Sequence, residues 1–150
     1  MSDKPVEQSP APDFSAPVRS LILGSLITIV VTAAVVGGIT YAAKPDALVS
    51  VFWGMVVILA ASALGMVHVV FVGRRSMLVW PAIWLMGTGL RVAATLGLGI
   101  LLYFLVKLNV RVYAISVLAG YIAVLTTETL IFRNAFQRAW ELRESTKKPV

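Results

Sequence analysis

Four long apolar stretches, residues 21–43, 48–72, 77–106 and 112–132, leave this chain few folds to choose from. A helix needs roughly 20 apolar residues to cross a ~30 Å hydrocarbon core, and every stretch is long enough. In lipid no water is at hand for the backbone, so its amides must bond to one another within a helix or a closed barrel. Barrel strands are about half this length and alternate apolar with polar residues, a pattern absent here. The expectation is an all-α membrane protein, a bundle of four transmembrane helices in two antiparallel hairpins. Composition agrees, with 59% hydrophobic residues, 13% charged residues and a mean hydropathy of +0.88.

The connections are short. Lys44-Pro45-Asp46 separates the first two stretches, with the proline ending one helix and Asp46 placed to cap the next. Gly73-Arg74-Arg75-Ser76 and Lys107-Leu108-Asn109-Val110-Arg111 make the other two turns. Residues 1–17 contain Pro5, Pro10, Pro12 and Pro17 among small and charged residues and are expected to form a disordered N-terminus. The first stretch reads as a retained helix, because Asp3, Glu7 and Asp13 precede it where a signal peptide has a cleanly basic start. The membrane domain is thus 18–132. Residues 133–150 form a basic tail; Phe132 at the end of the fourth stretch, Phe136 and Trp140 recur at helical spacing, as in a helix lying on headgroups.

Lysine and arginine set the expected orientation. Lys4, Arg19, Arg74, Arg75, Arg133, Arg138, Arg143, Lys147 and Lys148 fall on one side, against Lys44, Lys107 and Arg111 on the other. The positive-inside rule then places both termini in the cytoplasm. The net charge of +6 is accounted for by topology and attraction to anionic lipids, without nucleic acid. The absence of cysteine excludes disulfides and thiolate chemistry.

Three ionisable residues interrupt the spans: His68, Arg91 and Glu128. Arg91 lies ten residues beyond Pro81, about 15 Å along a helix and so near the midplane. A central arginine costs about 2.5–3.5 kcal/mol on insertion, which the surrounding Leu, Ile, Val and Phe offset at roughly 0.3–0.6 kcal/mol each. Glu128 is the single opposite charge within the spans, on the neighbouring helix, but it falls four residues before the end of its apolar run. By helical rise that leaves a depth mismatch of roughly 10 Å. Two readings follow: Arg91 is neutralised by Glu128 within its own bundle, or it meets a carboxylate from another subunit. His68 and Glu128 share a depth and are weak candidates for holding a proton or a divalent ion, but two ligands are too few for a metal site.

Gly87, Gly89, Ala93 and Gly97 surround Arg91, and the spacing Gly89-x3-Ala93-x3-Gly97 lets helix backbones approach closely in lipid. Such a row serves internal packing or a homo-oligomer. No nucleophile–base–orienter set, phosphate loop or H-E-x-x-H spacing is present, so neither enzymatic activity nor a cofactor is expected.

The order of these features, a Lys-Pro-Asp turn, a third helix reading Trp84-Leu-Met-Gly87-Thr-Gly-Leu-Arg91-Val-Ala-Ala-Thr-Leu and a fourth reading Leu118-Ala-Gly120-Tyr121-Ile-Ala-Val-Leu-Thr-Thr-Glu128, resembles the ATP synthase protein I family. The similarity covers most of residues 20–132. Members of that family often carry an acidic residue after the glycine of the third helix; here Thr88 takes its place, which leaves Glu128 as the counter-charge within the bundle. The resemblance implies a small, non-enzymatic accessory protein of the bacterial inner membrane. Its role would be to assist assembly or stability of the c ring of F-type ATP synthase, with Arg91 as a temporary counter-charge for a c-subunit carboxylate. The alternative is a small ion transporter or channel subunit, magnesium being the ion implied for the family.

Overall fold

The computed structural model describes residues 13–14, 16–73, 75–76 and 78–147. Four helices carry the chain: α1 (Val18–Ala43), α2 (Leu48–Val72), α3 (Trp80–Leu105) and α4 (Val110–Lys147). All four are long and apolar enough to cross a membrane. Leu23, Val30, Ile39, Phe71, Leu85 and Phe104 are more than half exposed, a surface suited to lipid and not to water. The chain is therefore a multi-pass α-helical membrane protein.

One end of the bundle carries a two-residue antiparallel pairing of β1 (Asp13–Phe14) with β2 (Arg75–Ser76), in which Asp13 faces Ser76. The expected disorder of the N-terminus concerns mainly residues 1–12 and 15, which lie outside the described residues. At the opposite end a 3-10 turn, Pro45–Ala47, joins α1 to α2. Asp46 sits inside that turn, and no side chain caps the start of α2, so the capping role expected of Asp46 is not filled.

α2 is the centre of the bundle. Val57, Ile58 and Ala61 are at most 2% exposed, and α1, α3 and α4 all pack on this helix. α4 also packs on α1, whereas α3 docks on α2 with little backbone approach to α4. Two features explain why these sequence neighbours do not lie side by side. The backbone of the 106–109 connection is extended at Val106, and the Asn109 N–H donates to Ser50 Oγ at 2.8 Å, holding the loop over the start of α2. α4 then enters a groove that α2 offers it, where a Cβ on Gly54 would stand 3.0 Å from Ser116 Cβ and one on Gly120 would stand 3.2 Å from Ile58 Cγ1. Ser116 is fully buried there and satisfies its hydroxyl on the Val112 carbonyl at 2.7 Å.

Asn109 sets where α4 begins. Its Oδ1 accepts from the Val112 N–H at 3.3 Å and its carbonyl accepts from the Tyr113 N–H at 2.9 Å, the geometry of an N-cap. Replacing Asn109 with alanine is expected to cost about 1 kcal/mol, read as a lower midpoint of thermal unfolding in detergent. At its other end α4 runs unbroken to Lys147, beyond the apolar run. Phe132 and Phe136 do not lie against lipid as expected; they pack with Val69, Trp80 and Ile83. The rings of Trp80 and Trp84 stand 6.0 and 6.5 Å from that of Phe132, so aromatic side chains close this end of the bundle where helix backbones do not. Trp140 is nearly half exposed and donates to Glu144 Oε1 at 3.2 Å.

Candidate functional site

Gly87, Arg91, Thr95 and Gly99 recur every four residues on α3, so they share the face turned toward the bundle. Gly87 lies against the ring of His68 and Gly99 against the hydroxyl of Tyr113. Between them the Arg91 side chain crosses α2 at Gly65: a Cβ at that position would overlap Arg91 Nε and stand 2.7 Å from Cζ. Beyond the glycine, Arg91 Nη1 donates to Glu128 Oε2 on α4. The other carboxylate oxygen, Oε1, accepts from Ser25 Oγ on α1 at 2.8 Å. Arg91 is 8% and Glu128 1% exposed, so all four helices meet at one desolvated ion pair.

Electrostatics explains the convergence. An uncompensated charge at mid-bundle is costly, and a pair repays that cost only with good geometry and further hydrogen bonds to the remaining lone pairs. Glu128 has both oxygens engaged. Immediately before Glu128 along α4, Thr127 bonds to Thr28 through their hydroxyls at 2.9 Å, a second polar tie between α1 and α4. The cavity beside the guanidinium, touched by Ser62 and Tyr121, holds ≈ 10 Å³, about the space of a single water.

The depth mismatch expected between Arg91 and Glu128 does not hold. It assumed that the end of the apolar run marks the membrane surface, whereas α4 continues to Lys147. Measured from the 106–109 loop, Glu128 lies about 27 Å along α4 and Arg91 about 21 Å along α3. The long arginine stem spans the difference. Of the two readings for Arg91, the structure shows the internal pair.

The other expected site residues separate. His68 Nε2 is buried without a hydrogen-bond partner, and its ring faces Gly87. Among the described residues no three of His, Cys, Asp and Glu gather as a metal site would require. Gly87 belongs to the packed face of α3, but Gly89, Ala93 and Gly97 are exposed on another face, with nothing within 4 Å of a Cβ at Gly89 or Gly97. The row does not serve internal packing.

Gly65 and Ser25 belong to the site and were not anticipated. Gly65 stands four residues after Ala61 on α2, a small-residue spacing of the kind noted on α3. Ser25 had no signal beyond being a hydroxyl in an apolar helix.

α3 and α4 are tied by aromatic rings near one end and by the ion pair at mid-height, and from there to the 106–109 loop they stand apart. The cleft between them measures ≈ 730 Å³ and is lined almost entirely by apolar side chains of α3 and α4, with Leu108 of the loop closing its end. Thr95 Oγ1 and Tyr113 Oη are buried in its wall without hydrogen-bond partners.

These features define a class: a four-helix membrane bundle cross-linked at its centre by a buried arginine–glutamate pair, with an apolar cleft between α3 and α4. Comparison with protein-family models, curated proteins and solved structures gives no match.

Proposed function

We propose that the protein is a non-enzymatic accessory factor that holds a transmembrane helix of a larger membrane complex against α3. The observation that carries this reading is the outward row Gly89, Ala93 and Gly97. Association of helices in lipid depends on close backbone approach, which such rows permit, and the fold leaves this one uncovered. The partner that the family resemblance implies is the c subunit of F-type ATP synthase, a protein the factor would hold during ring assembly in a bacterial inner membrane. The distribution of lysine and arginine favours cytoplasmic termini. Because Arg91 is already met by Glu128, recognition rests on the row and not on the arginine as counter-charge.

The test is co-purification of c subunit with a tagged wild-type chain and with Ala93→Leu and Gly97→Leu variants. Gly97 has open space beside it and Ala93 is exposed, so each leucine should leave thermal unfolding unchanged, while recovery of c subunit falls roughly fivefold to thirtyfold, the equivalent of about 1–2 kcal/mol of helix packing. Equal recovery from all three would overturn the reading.

A further inference from the structure

The α3–α4 cleft is separate from the Gly89–Ala93–Gly97 row and has its own shape. Its α3 wall extends from Val92 to Phe104 and its α4 wall from Val110 to Tyr121, each about 17–18 Å long, or roughly one leaflet of a ~30 Å core. Walls of that length cover about half the depth a spanning helix needs, and they are almost entirely apolar, which suits the flexible hydrocarbon chains of a single lipid.

The end of the cleft that Leu108 closes is bordered by charge. Lys107 and Arg111 adjoin the lining residues Leu108 and Val110 in sequence; both are exposed, and among the described residues the one ion pair is Arg91–Glu128, deeper in the bundle. Two cations at headgroup level over an apolar slot complement a phosphate attached to acyl chains. Tyr113 adds a third element. Its hydroxyl is buried in the wall without a partner at the level of Gly99, about 9 Å along α3 from Leu105. At this depth, where headgroups give way to chains, a lipid ester carbonyl supplies an acceptor.

We infer that the α3–α4 cleft is a binding site for one anionic phospholipid, its chains between the two helices, its phosphate on Lys107 and Arg111 and an ester carbonyl on the Tyr113 hydroxyl. The site is built by the fold itself, since the loop that the Asn109–Ser50 bond pins over α2 separates the helices and carries Lys107, with Arg111 following in the first turn of α4.

The experiment uses the full chain, delipidated in detergent and titrated with phosphatidylglycerol or phosphatidylcholine, with native mass spectrometry and thermal unfolding as readouts. One phosphatidylglycerol per chain is expected, with a higher midpoint of unfolding than phosphatidylcholine gives. Lys107→Gln with Arg111→Gln should reduce the preference for phosphatidylglycerol over phosphatidylcholine on the order of tenfold to thirtyfold, weakening the zwitterionic lipid less than the anionic one. Ala114→Phe and, separately, Leu96→Trp fill the cleft from its two walls and should weaken both lipids; two variants guard against a fold defect in either one. The site is overturned if the double variant keeps the wild-type preference, if both cleft-filling variants bind as the wild type does, or if a polypeptide is retained in place of lipid.

Discussion

Arg91→Met destabilises the bundle by about 3–5 kcal/mol, because it strips Glu128 of its counter-charge and leaves a carboxylate that is 1% exposed among four helices. Glu128→Gln strands the guanidinium and has a smaller effect, since Ser25 and the amide still offer hydrogen bonds. The double change Arg91→Met with Glu128→Gln restores most of the loss, as replacing a buried pair by uncharged groups of similar volume is often close to neutral. The measurement is unfolding of the purified chain by sodium dodecyl sulfate titration, followed by helical circular dichroism. Equal stability of Arg91→Met and the wild type would show that the pair does not hold the bundle together.

Gly65→Ala produces the second-largest loss, although it adds a single methyl group. That methyl occupies the path of the guanidinium over α2, so either the arginine leaves Glu128 or α3 moves outward. Overpacking costs about 1–3 kcal/mol, and partial loss of the pair adds to it. The diagnostic result is coupling: in an Arg91→Met background, where a flexible side chain with no ion-pair partner can move aside, the Gly65→Ala penalty falls by roughly 0.5–3 kcal/mol. If the two losses simply add, Gly65 is not reserved for the arginine.

The elements of this fold were readable because lipid makes a simple demand. An apolar run longer than the hydrocarbon core must be a helix, and Pro45 and Gly73 mark turns between runs. The arrangement of the helices was less readable. Nothing in the composition of α3 and α4 says that they splay, because the cause is a side chain, Ser50, 59 residues upstream of the Asn109 it holds, and a groove around Gly54 in another helix. The pair of Arg91 with Glu128 was visible as two opposite charges, but its depth was misjudged. Apolarity stops at Phe132 and the helix does not, since Phe132 and Phe136 find Trp80 to pack against. The row Gly89, Ala93 and Gly97 was legible as small residues and illegible as outward, because periodicity gives spacing along a helix and not the direction in which its neighbour lies.

The position of Glu128 on the last helix has a consequence for the order of events during synthesis. Arg91 and Glu128 are 37 residues apart, and at about 5–20 residues per second the arginine emerges roughly 2–7 s before its partner exists. Through that interval the nascent chain holds three helices and one unmet positive charge. α1 and α2 can form their hairpin at once, and α3 can dock on α2 over Gly65, but the three-helix intermediate remains electrically incomplete. Arrival of α4 closes the circuit, bringing Glu128 to Ser25 and Arg91 together. A chain that ends before residue 128 is left with a buried arginine and no carboxylate within the bundle to meet it.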